Sequence, residues 1–446
     1  MRILFIHQNF PGQFRHLAEH LNKDPKHQVK AICQAQAPTL AGIDTIRYQP
    51  ARAASPHTHH YNRPLESHTL NAQAVCKLLL DLKASGYQPD IVLAHTGWGE
   101  ALYVKDVFPN SKLIGFFEFY YHARGADTDF DPEFPQTLDD VLRIRNKNAT
   151  HLLSLEVVDA GVCPTQWQKS TFPTEFQHKM HLIHEGIHTE LAKPNNKAAY
   201  QLANGITLTA KDEVIAYVAR NLEPYRGFHQ FMRAVELICK RRPKAHILII
   251  GGDDISYGRK LPKGETWRQK MLKEVALDES RVHFLGKLPY QNYLQALQIS
   301  SAHIYLTVPF VLSWSMLEAM AIECAVIASN TAPVSEVIQH GKNGLLVDFF
   351  IPSEIADTAD HVINKPKQYH KMRQAARKTI LDKYTIEQGI KQYLKLFESM
   401  LKSKWRLSDW PLLQRSKGRC GSKVPVGSKF LYDCNWAQTR LVSKNL

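Results

Sequence analysis

The chain has 446 residues, of which 44% are hydrophobic and 22% charged, and its net charge is +14. This length exceeds one ordinary hydrophobic core and predicts two domains, in a composition typical of globular proteins. No apolar run approaches the ~20 residues that a membrane span needs. The seven cysteines form no C-x-x-C pair, which argues against a disulfide framework or a zinc site and favours a reducing cytoplasm.

Short apolar runs alternate with amphipathic stretches along the first half of the chain. The first run, in MRILFIHQNFPG, is too short for a secretory signal and predicts a buried strand. We predict strands at RILFIH, VKAICQ, DIVLAH, KLIGFFEF, AGVCP and MHLIHEG, with helices such as QFRHLAEHLN and LNAQAVCKLLLDLKAS between them. This alternation is typical of a parallel α/β sheet. The polar stretch AKPNNKAAYQ, residues 192–201, interrupts the pattern and is the predicted linker.

The alternation restarts after the linker, with predicted strands at EVIAYVA, AHILIIGG, RVHFLG, AHIYLTV, CAVIAS and NGLLVDF. The sequence therefore predicts an α/β protein with two facing Rossmann-like, doubly wound domains, residues 1–192 and 202–385. A helix at 386–402 would cross back over the domain junction. A ligand cleft is expected where the carboxyl ends of the two sheets meet. Residues 403–446 carry nine Lys/Arg against two Asp, which predicts a basic, disordered tail or one that touches membrane or nucleic acid.

The stretch PFVLSWSMLEAMA, residues 309–321, predicts a strand end, a turn and the start of a helix. Ser315 and Glu318 have the S-x-x-E spacing of a capping box, in which Glu318 would only reach back to the cap amide. Alternatively, the helix N-terminus points at the cleft, and the amides of Ser313, Trp314 and Ser315 bind a phosphate group. In that arrangement Glu318, one turn further on, would accept hydrogen bonds from sugar hydroxyls.

Two arginines offer the complementary positive charge. Arg220 lies at the end of a predicted strand, and Arg226 precedes Gly227 at a helix start. Guanidinium groups bind diphosphates bidentately and stay charged at any working pH, so both could converge on one ligand. The alternative is a solvated surface pair. Gly12, in the turn after the first strand, would let backbone approach a ligand closely, whereas the sequence has no P-loop motif and no dinucleotide fingerprint at this turn.

These residues resemble a known family. SMLEAMAIECAVIAS followed by PVSEVIQHGKNGLLVD is similar to the signature region of the family-4 retaining glycosyltransferases, which have the GT-B fold. VARNLEPYRGF resembles that family's phosphate-binding segment, with Arg226 where a lysine is more usual. MHLIHEGIHTE resembles the strand that closes the family's first domain. The resemblance covers about residues 1–400 and is more specific in the second half.

The resemblance implies roles on the donor side. Glu318 matches the second glutamate of the family's E-x7-E motif, which holds the donor's ribose hydroxyls. Arg220 and Arg226 match the diphosphate ligands that stabilise the leaving nucleotide, which makes them the predicted catalytic cations. Gly12 matches the loop glycine that approaches the donor. Two further donor contacts, where backbone meets the nucleobase, are implied at Gly286 and Leu288.

On the acceptor side, the segment GFFEFYYHARG stands where the family often has a catalytic-region histidine. Glu118 aligns best by strand position and is the predicted catalytic residue of this domain, with His122 four residues further on. His95 and Trp98, in AHTGWGE, also follow a strand and are predicted to line the acceptor side.

One departure concerns the reaction itself. Phe310 occupies the position of the first E-x7-E glutamate, which in the family contacts the transferred sugar. Two functions therefore stay open. The first is a retaining glycosyltransferase that moves a hexose from a UDP- or GDP-linked donor to a saccharide or lipid-linked acceptor, in polysaccharide or cell-envelope glycan synthesis. The second is a catalytically inactive module that binds a nucleotide sugar or glycan. A nucleic-acid binder is suggested by charge alone.

Neither leading function calls for a cofactor or a metal ion. His57, His59 and His60, in HTHHY, lie in a Pro/Ser/Ala-rich stretch with no carboxylate close in sequence, which predicts a surface loop. In GT-B enzymes, cations and a helix end stabilise the leaving diphosphate. We therefore expect a metal-independent cytoplasmic transferase without a specific nucleic-acid partner, for which a lipid-linked acceptor would mean peripheral contact at the inner face of the membrane.

Overall fold

The computed structural model describes residues 1–262 and 264–402, so the predicted tail at 403–446 lies outside the described residues. The strands are β1 (Arg2–Ile6), β2 (Gln28–Gln34), β3 (Asp44–Tyr48), β4 (Ile91–His95), β5 (Lys112–Phe116), β6 (Ala160–Cys163), β7 (Met180–Leu182), β8 (Ala199–Gln201), β9 (Thr207–Thr209), β10 (Val214–Asn221), β11 (His246–Gly252), β12 (Val282–Gly286), β13 (Ala302–Tyr305), β14 (Ala325–Ser329) and β15 (Leu345–Val347).

Helices connect these strands, and single 3-10 turns at Gly12–Phe14 and Pro224–Arg226 precede α1 and α8. The α-helices are α1 (Arg15–Lys23), α2 (Arg63–Ala84), α3 (Val104–Val107), α4 (Leu138–Lys147), α5 (Ala149–Val157), α6 (Gln166–Ser170), α7 (Thr174–Gln177), α8 (Phe228–Arg241), α9 (Trp267–Glu274), α10 (Tyr290–Gln298), α11 (Trp314–Ala321), α12 (Ala332–Ser335), α13 (Pro352–Asn364), α14 (His370–Lys383) and α15 (Ile386–Lys402). Among the described helices, none is long and apolar enough to cross a bilayer.

Seven parallel strands form the first sheet, in the order β3-β2-β1-β4-β5-β6-β7. Ile3 and Phe5 of β1 belong to one buried apolar cluster, whereas Leu4 lies in the cluster on the opposite face. Because both faces are covered, the strand reads as a continuous apolar run. β1 and β4 are neighbours although β2 and β3 separate them in sequence, and ligands bind at such a switch in strand order.

The second sheet repeats this organisation with six parallel strands, in the order β12-β11-β10-β13-β14-β15. Ile215 and Tyr217 of β10 pack in one cluster and Ala216 in the other. The switch in strand order falls between β10 and β13. An antiparallel hairpin of β8 and β9 adds Tyr200 and Leu208 to the second cluster. The predicted fold class, two Rossmann-like doubly wound domains, is confirmed, while the predicted domain boundaries stay a prediction.

The last described helix returns to the first domain. α15 places Tyr393, Leu396 and Phe397 in the same buried cluster as Phe5 of β1 and Phe14. The crossover helix predicted from the sequence is therefore present, and it completes the first core.

Three strands were not predicted. β3 lies at the edge of the first sheet, and its sequence DTIRY is mostly half-buried or exposed, so it lacks an apolar run. β8 and β9 have three residues each, which is too short for an alternating pattern to stand out.

Candidate active site

The carboxyl ends of β10 and β13 bring a buried arginine next to the start of α11. Arg226 is only 7% exposed, and its Nη1 donates hydrogen bonds to the Tyr305 hydroxyl, at 3.2 Å, and to Thr307 Oγ1, at 2.9 Å. The Tyr305 hydroxyl also accepts a bond of 2.9 Å from the backbone N–H of Ser313. One hydroxyl thus links the arginine to the residue that precedes α11.

Arg220 and Arg226 converge on one aromatic ring. The guanidinium carbon of Arg220 lies 5.9 Å from the centre of the Tyr257 ring, and that of Arg226 lies 5.7 Å from it. Arg220 is exposed at the end of β10. The alternative of a solvated surface pair therefore does not describe Arg226, whose side chain is held in place inside the protein.

A buried carboxylate fixes the loop that carries Tyr257. Glu223 is fully buried and accepts hydrogen bonds from the backbone N–H groups of Ser256, Tyr257 and Gly258, at 2.8–3.2 Å. Asn221 Nδ2 donates to Ser256 Oγ at 2.8 Å. Sequence reasoning missed both residues, although they stand between the two arginines in ARNLEPYR.

At Gly227 the chain turns into α8 with a positive φ of 63°, and a Cβ there would lie 2.4 Å from Cβ of Leu306. Glycine at this position therefore lets the arginine-bearing turn pack directly on the strand region that follows β13.

The helix cap differs from the capping box that the spacing predicted. Ser313 is the N-cap residue, and its hydroxyl accepts the Ser315 N–H at 3.3 Å. Two of the three predicted phosphate-binding amides, those of Ser313 and Ser315, thus have acceptors within the protein. Trp314 instead reaches the first domain, where its Nε1 donates to Glu185 Oε1 at 2.7 Å.

Glu318 is buried and takes no part in capping. Its Oε1 accepts a hydrogen bond of 2.7 Å from the Tyr290 hydroxyl, and its Oε2 accepts one of 2.6 Å from Tyr293. Burial raises the pKa of the Glu318 carboxyl, although the two tyrosine hydrogen bonds oppose this. The alternative of a cap-only role is therefore wrong, because both oxygens face α10.

The two predicted base-contact residues lie just before α10. Gly286 has a φ of 65°, and a Cβ added there would meet nothing within 4 Å. Leu288 is partly buried and packs against the core cluster of the second domain. The backbone at Gly286 is consequently open on the side where a Cβ would stand.

Phe310, at the position of the missing first glutamate, is part of an aromatic cluster that joins the domains. Its ring centre lies 4.7 Å from that of Phe119, 5.4 Å from Tyr225 and 4.9 Å from Tyr257. The Arg226 guanidinium carbon is 5.8 Å from the same ring. Phe310 is therefore packed among aromatic rings of both domains.

In the first domain, the ends of β1, β4 and β5 form a second polar cluster. Gln13 Nε2 donates to Glu118 Oε1 at 3.0 Å, and His7 Nε2 lies 2.8 Å from Gln13 Oε1. His95 Nε2 is 3.8 Å from Glu118 Oε2. Trp98 stacks on His95 with ring centres 4.0 Å apart. Three predicted residues thus lie together, and His7 and Gln13 complete the cluster.

The hydrogen bonds of this cluster define its protonation. The Asn9 N–H donates to His7 Nδ1 at 2.9 Å, so the proton of a neutral His7 is on Nε2, which donates to Gln13. Burial, together with the nearby His95, lowers the pKa of His7 to about 3. Burial alone would raise the pKa of Glu118, but His95 and Gln13 outweigh this effect and lower it. The cluster therefore holds an ionised carboxylate near the neutral ring of His7.

Gly12 packs directly against the His7 ring of this cluster. Its φ is 44°, and a Cβ there would lie 2.5 Å from His7 Nε2. His122, the second residue considered in the acceptor region, is exposed and its Nε2 lies 2.6 Å from the carbonyl oxygen of Thr171. His122 thus lies outside the Glu118 cluster.

The two clusters adjoin across the domain junction. Phe119, next to Glu118, packs on Phe310, and the Glu118 carbonyl accepts a bond of 2.6 Å from Gln168. Glu336 of the second domain accepts the backbone N–H groups of Gln166 and Trp167, at 2.8 and 2.7 Å. Glu118 and Arg226 are thus linked through Phe119 and Phe310, whose ring also lies 5.8 Å from the Arg226 guanidinium carbon.

His57, His59 and His60 form an exposed turn, as predicted, but a carboxylate is close in space: His60 Nε2 lies 3.2 Å from Asp139. Tyr61 also donates to Asp139, at 2.7 Å. This pairing was invisible in the sequence because the two residues are far apart along the chain.

Within residues 1–262 and 264–402, one group has the spacing of metal ligands: Asp131, Glu133 and His229, whose ligand atoms lie within 4.8 Å of one another. His229 Nε2 is 2.8 Å from Asp131 Oδ2. Both oxygens of Glu133, however, accept hydrogen bonds from Arg233, which already supplies the positive charge. The group is therefore best described as an ion-pair network between the domains.

Two family models match the chain. The model of the "Glycosyl transferase family 4 group" matches residues 25–192, and that of "Glycosyl transferases group 1" matches residues 203–379. An N-acetyl-alpha-D-glucosaminyl L-malate synthase from Bacillus anthracis is 28% identical over 124 residues, which are 28% of this chain and 32% of that protein. The chain spans 32 to 56% of the length of the curated relatives that it matches.

Solved structures share the fold over most of the described chain. Sucrose-phosphate synthase from Thermosynechococcus elongatus has a TM-score of 0.66 at 17% identity and covers 91% of this chain and 100% of its own. Anabaena Alr3699/HepE in complex with UDP has a TM-score of 0.63 at 16% identity, with 90% and 100% covered. Since each half matches a glycosyltransferase family model and the whole has their two-domain fold, the chain belongs to the glycosyltransferases of the GT-B fold.

Proposed function

We propose that the protein is a retaining glycosyltransferase that moves a hexose from a nucleotide-sugar donor to a saccharide or lipid-linked acceptor, in polysaccharide or cell-envelope glycan synthesis. One observation carries this proposal: a buried arginine and a helix start meet at the switch point of the second sheet, joined by the Tyr305 hydroxyl. Positive groups fixed in this way suit an anion, here the diphosphate of the donor.

The reaction breaks the bond between the anomeric carbon and the diphosphate, and negative charge develops on the leaving phosphate. Arg226 is held by Tyr305 and Thr307 before any substrate binds, so its guanidinium needs no reorganisation to stabilise that charge. Arg220, on the exposed side of Tyr257, would contact the other phosphate. Because two guanidinium groups supply the charge, we propose that the reaction needs neither a metal ion nor a cofactor.

Glu118 is the proposed catalytic group of the first domain. Its carboxylate stays ionised next to His95 and Gln13, and its neighbour Phe119 packs on Phe310 of the second domain. An ionised carboxylate there would accept a hydrogen bond from the acceptor hydroxyl and orient it toward the sugar. His95 and Trp98, stacked on each other, would form the apolar wall of the acceptor side.

We propose that Glu318 binds the ribose of the donor. Its two oxygens accept from Tyr290 and Tyr293, and Tyr290 is 43% exposed whereas Tyr293 is buried. A ribose hydroxyl would therefore replace the Tyr290 hydroxyl on Oε1, while Tyr293 keeps Oε2. A uridine nucleotide is the first choice of donor, because HepE, one of the solved structures with this fold, was crystallised with UDP-glucose.

A two-step experiment tests the proposal. The first step is a thermal-shift screen with UDP, GDP and ADP, in which a ligand that binds only the folded protein raises its Tm. The second measures product formation from the matching nucleotide sugars with saccharide and lipid-linked acceptors, with and without EDTA. We expect UDP to raise the Tm, and we expect product formation at a rate that EDTA does not reduce. No shift with any diphosphate would overturn the donor assignment, and EDTA-sensitive turnover would overturn metal independence.

Phe310 favours a second candidate function, a binding module without turnover. In this case the arginines and Glu318 would still hold a nucleotide sugar, but the transferred sugar would meet an aromatic cluster in place of a carboxylate. A Tm shift with a nucleotide sugar, combined with no product from any acceptor, would support the module and exclude the transferase.

A further inference from the structure

A cavity of about 330 Å³ lies between the segment that follows β5 and the loops after β10 and β11. Its walls come from both domains, with Tyr121 and Asp127 on one side and Tyr225 and Tyr257 on the other. None of the predicted donor residues lines it. Tyr257 is nevertheless the ring that faces Arg220 and Arg226, and Tyr121 is three residues from Glu118, so the cavity borders the proposed reaction centre.

Buried polar atoms in this wall have no hydrogen-bond partner within the described part of the chain. They include Nε1 of Trp267, Oδ1 of Asp127 and both amide atoms of Gln136. Trp267 and Asp127 are 5% and 4% exposed. Leaving such groups unpaired in the interior costs free energy, so each is expected to have a partner in the working protein.

The rest of the wall is organised by the fold itself. The second oxygen of Asp127 accepts a bond of 2.8 Å from the Tyr225 hydroxyl, across the domain junction. Tyr121 is held by Asn148, which bonds its backbone N–H and carbonyl at 2.9 and 2.7 Å. Lys147 lies with its Nζ 3.4 Å from the centre of the Tyr121 ring, and burial lowers the pKa of Lys147 to about 8. Asp127 and Tyr121 are therefore held in place by their neighbours.

The free groups identify the class of ligand. Trp267 only donates, Asp127 only accepts, and the Gln136 amide does both, so the ligand must offer several groups that donate and accept. Hydroxyl groups meet this requirement. The wall carries three carboxylates and three cations, which disfavours a ligand of either charge; they are Asp127, Asp131, Asp140, Arg143, Lys147 and Arg259. The tyrosine rings offer faces for an apolar ring surface, and the volume is at the lower end of the ~300–1,000 Å³ of small-molecule pockets.

We propose that this cavity binds the terminal sugar ring of a neutral saccharide acceptor, through Trp267, Gln136 and Asp127. This inference rests on the proposed function, since the cavity is an acceptor site only if the protein transfers a sugar. The hydroxyl that becomes glycosylated then faces the junction between Glu118 and Arg226.

A direct measurement of saccharide binding distinguishes the cavity proposal from the proposed transferase activity. Saturation-transfer NMR is recorded on the whole protein with methyl glycosides of glucose, galactose, mannose and N-acetylglucosamine. Gln136→Leu and Trp267→Phe remove free polar atoms and keep most of the volume, and Gln374→Leu is the matched control, because Gln374 is exposed on α14. We expect ring-proton signals from at least one glycoside, reduced at least about tenfold in the two pocket variants and unchanged in the control.

Where transfer is measurable, the same two variants are expected to raise the acceptor KM at least about tenfold and to leave the donor KM unchanged. Equal signals in wild type and Gln136→Leu, or no signal from any glycoside, would overturn the cavity proposal and show that water alone fills it. Displacement of the glycoside by UDP-glucose but not by UDP would also overturn it, because the cavity would then hold the donor sugar. Pocket-dependent binding without transfer to any acceptor would leave the cavity a saccharide site and remove the proposed enzyme.

Discussion

Tyr290→Phe should make a nucleoside diphosphate bind more tightly. In the free protein the Tyr290 hydroxyl donates to Glu318 Oε1 at 2.7 Å, and the proposed ribose contact needs the same oxygen. Tyr290 is the more exposed of the two tyrosines on Glu318, so we expect it to be the one that leaves when a nucleotide binds. Removing its hydroxyl removes the competitor and leaves the oxygen free for the ribose.

The size of the effect follows from this one contact. A hydrogen bond to a charged group contributes about 1.5–3 kcal/mol when its loss leaves the partner unsatisfied. Because the Tyr290 side chain is partly exposed and water can replace it, we expect about 1 kcal/mol, which is a Kd about fivefold lower. The unfolding free energy of the free protein should fall by a similar amount, since Oε1 loses its donor.

Titration calorimetry measures this with UDP and with 2′,3′-dideoxy-UDP, which lacks the ribose hydroxyls. Tyr293→Phe is the matched control. Tyr293 is buried and donates to Glu318 at 2.6 Å, and we expect it to keep this bond when the nucleotide binds, so its loss should lower stability without tightening binding. The gain in Tyr290→Phe should be absent with the dideoxy nucleotide. An unchanged or weaker affinity for UDP in Tyr290→Phe would refute the reasoning, because Tyr290 and the ribose would then not share an oxygen.

Three further predictions concern other parts of the molecule. Arg226→Lys keeps the positive charge but removes the planar guanidinium group that two hydroxyls hold in place, so kcat should fall roughly 10²–10³-fold in a transfer assay. Arg241→Lys, at an exposed arginine, should keep a kcat near that of the wild type. Equal kcat values for the two variants would contradict the role assigned to Arg226. Burial lowers the pKa of His303 to about 4, so between pH 6.5 and 4 the unfolded chain binds this proton and the folded protein does not, which lowers the unfolding free energy. In urea unfolding, His303→Asn should reduce the loss of unfolding free energy between pH 7 and 5 by about 2 kcal/mol. An unchanged dependence of the unfolding free energy on pH would contradict the lowered pKa. Phe310→Glu places a carboxylate among aromatic rings, so unfolding free energy should fall by about 3–5 kcal/mol, and a variant as stable as wild type would show that the cluster tolerates charge.

Much of the fold could be predicted because parallel strands leave a clear local signal. Each central strand is buried on both faces, so its apolar run shows in the sequence whatever its neighbours are. Residues of the candidate site could be predicted from the sequence where they lie in one short stretch, as Arg220 and Arg226 do, or where they follow a strand, as Glu118 does.

The contacts that define the site could not be read from local spacing. Ser315 and Glu318 fit a capping box, yet Ser313 is the N-cap residue, and Glu318 accepts hydrogen bonds from two tyrosines of α10. The bond between Gln13 and Glu118 joins residues that only the sheet order brings together. The cavity depends on the segment after β5 lying against the second domain, and no periodic pattern marks that segment.

The return of α15 to the first domain also has a consequence for synthesis of the chain. Tyr393, Leu396 and Phe397 fill part of the core around Phe5, but a ribosome adds them only after the entire second domain. At roughly 5–20 residues per second, the nascent first domain would wait about 10–40 s for its last apolar residues. The N-terminal half should therefore remain open to chaperones during translation and close only when the chain is almost finished.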